Sequence, residues 1–290
     1  MELGRLGVWY PTDRLDGPQL AALMETVEGH GYGAFWYPES RAYESLSLAG
    51  YLLGASKRLV IGSSIANIYA RDGYAARRGM MTLNQLYGDR FILGLGVSHR
   101  PAVEGVRGHR YEKPLPAMRA YLDALQGPPG AQEPGAADWP VMIAALGPLM
   151  LKLTAERTKG ALPYNVTPEH TRQAAALRRP HQWLAVEQKV CIEPDKPRAR
   201  ALGRAELARY MVLPNYRNNW LRLGFTEADL ADGGSDRFID AMVVSGTVDE
   251  VKAGLHAHFD AGATHVCLQP VHAESDWAHR DAMIAALAGT

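Results

Sequence analysis

The sequence predicts an α/β protein folded as a (β/α)8 barrel, on three observations. Short apolar runs alternate with helical stripes along the chain, eight such strand–helix units can be read, and hairpin signals are few. A doubly wound open sheet shares this alternation and is the second architecture to weigh. At 290 residues the chain is long enough for one barrel with a large core, so residues 1–290 are read as one domain.

The elements follow in order. LGVWY (6–10) is a strand that ends at Pro11, and Leu20, Leu23, Met24 and Val27 form a helix stripe that stops at Gly31-Tyr32-Gly33. AFWY (34–37) is the second strand, closed by Pro38, and a helix runs from Leu46 to Leu53. RLVIGSSI (58–65) is rich in β-formers, Ala75 to Leu86 is helical, and FILGLGV (91–97) is the fourth strand. Residues 114–126 read as helix, and GPPGAQEPGAAD (127–138) as a mobile surface loop. Pro140 to Ala145 is a strand, Leu149 to Thr158 a helix, and ALPYNV (161–166) a short sixth strand. TPEH (167–170) starts the next helix, with Thr as cap and Pro in the first position. KVCIEP (189–194) is the seventh strand, extra helices fill about 195–245, and Val248, Val251, Leu255 and Phe259 mark another stripe. HVCLQPV (265–271) is the eighth strand, and a helix from Trp277 to Leu287 ends the series.

Composition narrows the function. With 31 basic and 31 acidic side chains there is no field to hold nucleic acid, and 47% hydrophobic residues exclude a disordered chain. Cys191 and Cys267 lie in apolar strands without C-x-x-C spacing and read as buried, inert thiols. The N-terminus, MELGRLGVWYPTD, shows no leader pattern, and no apolar run approaches the ~20 residues of a membrane span. A soluble cytoplasmic protein without nucleic-acid or membrane partners is expected.

The chain lacks the signatures of several other chemistries. There is no P-loop and no G-x-S-x-G elbow. Gly94-x-Gly96 lies inside a strand with His99 at the third glycine position, a poor dinucleotide fingerprint. His256 and His258 face different directions on a helix and no H-E-x-x-H occurs, so no metal site is expected. A barrel mouth without an evident protein-only catalytic set points to a cofactor that brings its own chemistry.

Several ordered segments then carry a resemblance. FWYPES, IGSSIANIYARDGYAA, DRFILGLGVSH and AALGPLMLKLTAERTKGALPY resemble the luciferase-like flavin and deazaflavin oxidoreductases. RGHRYEKPLPAMRAYLDAL, PYNVTPEHT, PNYRNNWLRLGF and AGATHVCLQPV are similar to the short group described as coenzyme F420-dependent oxidoreductases. The resemblance spans nearly the whole chain. It implies a luciferase-like TIM barrel with an isoalloxazine-like ring in the C-terminal mouth, coenzyme F420 or alternatively FMN as cofactor, a small-molecule substrate and a homodimer.

Individual residues are weighed beside it. Ile92, Gly94, Gly96 and Ser98 share one strand face, and missing side chains there would let a flat ring approach; tight packing would give the same spacing. Ala144, Ala145, Leu146 and Gly147 run into a helix start, where backbone amides bind anions, and the resemblance makes them cofactor contacts. It also places a non-proline cis peptide at Ser64-Ile65, with Asn67 near a ring edge. Arg71 suits a phosphate, a carboxylate or an ion pair equally, and Arg100, Arg107 and Arg110 suit either cofactor's phosphate.

The departures are specific. The sugar-phosphate dehydrogenases of this superfamily end the second strand in an acid and a histidine, where Glu39-Ser40 stands here, and their glutamate after strand four corresponds to His99. A sugar phosphate is therefore disfavoured. His99 is the expected proton donor or acceptor, with Glu39 orienting it or acting in its stead. Trp36, Tyr69, Tyr111, Tyr164 and Trp220 are candidates for an aromatic pocket. The functions in play are an F420-dependent hydride transfer, an FMN-dependent monooxygenase and a non-catalytic flavin-binding barrel.

Overall fold

The computed structural model describes residues 1–127, 135 and 138–290, so most of the loop expected at 127–138 lies outside the described residues. Its first half runs β1 (Leu6–Trp9), α1 (Gly17–Gly29), β2 (Ala34–Tyr37), α2 (Ser45–Gly54), β3 (Val60–Ser63), β4 (Ala66–Asn67), α3 (Gly73–Tyr87) and β5 (Phe91–Gly96). A π-helical turn (Pro101–Val106), α4 (Pro114–Gln126), β6 (Val141–Ile143), α5 (Pro148–Arg157), β7 (Gly160–Ala161) and α6 (Pro168–Leu177) follow. The chain ends with β8 (Trp183–Ile192), α7 (Lys196–Met211), α8 (Pro214–Arg222), α9 (Asp236–Met242), β9 (Val243–Gly246), α10 (Val248–Asp260), β10 (His265–Pro270) and α11 (Trp277–Ala286).

Parallel pairing runs β10-β1-β2-β3-β5-β6-β7-β8, and β8 pairs back onto β10, which closes the barrel and removes the open-sheet alternative. Alternation divides each strand. Phe35, Ile61, Leu93, Ile143, Val186 and Leu268 pack outward under the helices, whereas Trp9, Trp36, Ile92, Met142, Ala185 and Cys267 fill the interior.

The helices begin where capping chemistry predicts. Asp16 and Thr247 form reciprocal capping boxes with Gln19 and Glu250, and Thr167 caps α6 ahead of Pro168. The strands depart more. The run at 58–65 yields β3 alone, and β4 follows just beyond it; the two ride along β5 at Phe91–Ile92 and Leu95–Gly96. The sixth strand shrinks to β7, because Pro163 has no N–H for the ladder and the chain leaves the sheet. The seventh starts at Trp183, six residues before the expected Lys189, since Glu187 and Gln188 interrupt the apolar pattern yet are buried in the strand. Among the extra helices, β9 pairs with Lys189–Ile192 of β8, a strand with no expectation in the sequence.

Both cysteines are buried, and burial pushes the Cys191 thiol up to about 11, in keeping with inert core thiols. His258 is a packing residue: its Nδ1 meets Thr171 Oγ1 at 2.8 Å and its Nε2 meets Gln188 Oε1 at 2.7 Å, tying α10 to α6 and β8. Among the described residues, no helix is long and apolar enough to cross a membrane, and no group of three or more His, Cys, Asp or Glu is placed to hold a metal.

Candidate active site

The mouth is built at the C-terminal strand ends. Between β3 and β4 the Ser64–Ile65 peptide is cis. Ser64 N–H donates to Tyr37 O (2.7 Å), and Glu39 N–H donates to Ile65 O (3.2 Å). A Cβ on Gly96 would stand 2.4 Å from Ile65 Cγ1, and one on Gly94 would stand 1.9 Å from Ser63 O. The two glycines thus admit neighbouring protein, and the space expected above them is taken by Ile65 and the β3 backbone.

Glu39 stands near the start of the loop leaving β2. Its carboxylate pairs with Arg71 and accepts the Asn67 N–H at 2.7 Å, and Arg107 stands 3.8 Å away. Arg71 also pairs with Glu44 at 2.6 Å, so among its possible roles the structure shows an ion-pair partner. Asn67 Oδ1 accepts Tyr69 N–H (2.9 Å), which leaves the side-chain NH2 as the group a ligand could meet. Ser98 has φ of 56°, and its carbonyl accepts the Tyr111 hydroxyl at 3.4 Å.

His99 follows at the start of the π-helical turn, its carbonyl accepting from Ala102 and Val103 at 3.0 Å. The ring is half-buried, 5.8 Å from that of Tyr216. Burial lowers its pKa, and a side-chain hydrogen bond with Asn215 works against that shift. The imidazole is therefore neutral near pH 7 and ready to accept a proton. Its side-chain partner is Asn215 of α8 rather than Glu39, whose carboxylate is held by Arg71 and Asn67.

On the opposite wall, Ala144 N–H donates to Leu95 O (2.9 Å), Ala145 is buried, and Leu146 O meets His170 Nε2 at 2.8 Å. Gly147 stands at the N-terminus of α5 with no side-chain cap. Arg222 of α8 comes within 3.7 Å of where a Gly147 Cβ would be, and donates to Asn219 Oδ1 at 3.0 Å. Asn219 Nδ2 and His170 Nδ1 are buried without a partner.

A further group was not legible in the sequence. Lys189 Nζ, inside the barrel, donates to Asn165 Oδ1 (2.7 Å) and Glu187 Oε1 (3.1 Å), and stands 4.1 Å from the centre of the Tyr164 ring. The Tyr164 hydroxyl donates to Gln269 Oε1 (2.8 Å) and meets that of Tyr210 at 2.7 Å, while Gln269 Nε2 reaches Glu206 at 2.9 Å. Three consecutive polar residues, Glu187-Gln188-Lys189, inside an apolar run were the one available signal. Trp9 Nε1 and Asn165 Nδ2, beside this group, are buried donors without acceptors. Of the aromatic candidates, Tyr164 joins this network, Trp36 and Trp220 are core residues, and Tyr69 and Tyr111 pair at 6.1 Å on the other wall.

Comparison with known proteins agrees with this architecture. A family model described as luciferase-like monooxygenase matches residues 3–265. A protein of Mycobacterium tuberculosis, assigned provisionally by name to the coenzyme F420-dependent oxidoreductases, is 25% identical over 94% of this chain and 96% of its own. The coenzyme F420-dependent tetrahydromethanopterin reductase of Methanopyrus kandleri has the same fold, with a TM-score of 0.72, 18% identity and coverage of 98% and 97%. So does the oxygenating constituent of 3,6-diketocamphane monooxygenase of Pseudomonas putida, in complex with FMN, at a TM-score of 0.73, 14% identity and coverage of 98% and 96%.

Proposed function

The chain belongs to the luciferase-like monooxygenase family, and from that premise we propose that it is a coenzyme F420-dependent oxidoreductase acting on a small organic substrate. The observation that carries this reading is its resemblance, over nearly the whole of both chains, to the Mycobacterium tuberculosis protein provisionally named as F420-dependent. The residues present fit such a cofactor. The uncapped start of α5 beside Arg222 suits a phosphate, and the orphaned donors of Trp9 and Asn165 suit the acceptors of a polar ring.

When bound, the deazaflavin supplies hydride transfer at its C5. The protein does the rest. The backbone of Ala144, Ala145, Leu146 and Gly147 would hold the phosphate-bearing arm. Ser64, Ile65, Gly96 and Ser98 would back the ring, and the Asn67 NH2 would meet its edge. His99, neutral at physiological pH, would take the substrate's proton at an imidazole nitrogen and return it in the reverse direction. Glu39 acts through Arg71 and Asn67, holding the loop rather than moving a proton.

FMN-dependent monooxygenation is the second reading, favoured by the description of the matching family. Calorimetric titration with F420 and with FMN separates the two. Tighter binding of F420 is expected, and micromolar FMN binding with no F420 binding would reverse the assignment. Absence of any turnover by the loaded protein across alcohols, aldehydes and acids would favour a non-catalytic flavin-binding barrel.

A further inference from the structure

We propose that the mouth includes a dedicated anion pocket, which seats a carboxylate or phosphate group of a ligand. A cavity of about 560 Å³ opens between the loop after β2, the turn after β4 and the end of the π-helical turn. That volume is ordinary for a small-molecule site. Its wall carries Ser40, Arg41, Tyr69, Arg107 and His109, and no carboxylate lines it among the described residues.

The charge balance of the cavity is positive. Behind the wall, Glu39 is neutralised by Arg71, which Glu44 also meets. Arg107 approaches Glu39 only at 3.8 Å, so most of its five donors are left for another partner. Arg41 has no ion pair or side-chain hydrogen bond among the described residues. Two guanidinium groups with spare donors around a concave surface attract and orient an oxyanion, for which the planar fork is well matched.

The wall of the cavity is bonded to the cofactor candidates. Glu39 bonds Asn67 N–H and Ile65 O from its other side, Tyr69 N–H bonds Asn67 Oδ1, and the Tyr69 ring leans on Tyr111, which reaches Ser98 O. A ligand anchored at Arg41 and Arg107 would thus lie against the residues that frame the proposed ring site. The inference rests on the reading of the mouth as a deazaflavin and substrate site. The anion has two possible sources, an acidic substrate and the acidic tail of the cofactor.

Calorimetry at low ionic strength tests the pocket with three probes: citrate, intact F420, and the deazaflavin riboside lacking phosphate and tail. The proteins are the wild type, Arg41→Ala/Arg107→Ala, and a remote control, Arg58→Ala/Arg179→Ala, whose exposed side chains precede β3 and β8 at the other end of the barrel. The pocket variant should weaken citrate at least about tenfold, as expected for lost charge-assisted bonds, and the control should not. Arg107→Lys in the wild-type background should retain part of the citrate affinity. If the pocket variant also weakens intact F420 but not the riboside, the cofactor is the source; if F420 is unaffected, the substrate is. Citrate that binds all three proteins alike, or none, overturns the pocket, as does an equal loss in the control. Should neither F420 nor the riboside bind the wild type while citrate still discriminates, the cofactor reading fails and the pocket stands.

Discussion

Two buried ion pairs flank the barrel mouth on different plans. Glu39–Arg71 joins a carboxylate to a guanidinium, a backbone N–H and a second, more distant arginine. Burial pulls the Arg71 pKa down, but the hydrogen bond and charge of Glu39 more than reverse that, so Arg71 stays charged. Glu187–Lys189 sits wholly inside the barrel, its side chains 3% and 1% exposed. There burial raises the carboxyl and lowers the ammonium, against the attraction between them. The first pair is a fixed electrostatic post that holds the Asn67 turn. The second lies in a hydrogen-bonded network of Asn165, Tyr164 and Gln269 that reaches Glu206, where burial works against both charges. A guanidinium keeps its charge and its fork geometry when buried, whereas burial disfavours the charged forms of a lysine and a carboxylate alike.

The largest expected effect concerns His99, which touches both sides, through Tyr216 to Tyr164 and through Ser98 to Tyr111. His99→Ala should lower turnover by roughly 10²–10⁴ with cofactor affinity changed no more than a few-fold. Wild-type turnover in that variant would make His99 structural. In the wild type, kcat/KM for substrate oxidation should fall on the acid side, as pH drops through a His99 pKa below the ordinary imidazole value.

Next in size is the interior pair. Lys189→Met leaves a buried carboxylate unmatched and should cost about 3–5 kcal/mol in guanidinium unfolding, with Lys189→Met/Glu187→Leu recovering much of it. A double variant as unstable as the single would mean that the pair is not a unit.

Two buried histidines apart from both pairs should make the fold acid-sensitive. His265, bonded to Trp36 Nε1 at 3.0 Å, and His258, bonded to Gln188, are both held neutral by burial, their pKa values taken from 6.5 to about 4. Between those values the unfolded chain binds protons that the folded chain does not. Stability is thus full above pH 6.5 and lost as pH falls toward 4, by on the order of 3 kcal/mol per histidine. A melting temperature unchanged over that interval would contradict it.

Arg71→Met is the smallest effect, about 1–3 kcal/mol, because Glu39 keeps the Asn67 N–H and Arg107 stands near. If it costs as much as Lys189→Met, the distinction between the two pairs collapses.

Much of the fold could be read without coordinates. Helix α4 falls at 114–126 as expected, Thr167 caps α6, and the closed barrel replaces neither β1 nor β2. The Ser64–Ile65 cis peptide, expected from resemblance alone, is present. Less was legible where a polar residue is buried or a strand is short. Glu187 and Gln188 concealed the first half of β8, and β9 gains its identity only from lying beside that strand. In the site, the glycines of β5 read as room for a ring or as tight packing, and the structure sets Ser63 and Ile65 against them.

The sequence by itself determined the alternation of elements, the capped helix starts and the strand end that carries His99, because stripes and caps act over a turn or two of chain. Only the tertiary structure decided which polar groups meet. Closing β8 against β10 brings Lys189 opposite Gln269 in register, and the return of Asn165 gives the ammonium its acceptor. Glu39, Arg71 and Arg107 likewise converge from three separate loops. Such partnerships depend on distances set by barrel closure, and a local pattern of residue types carries no record of them.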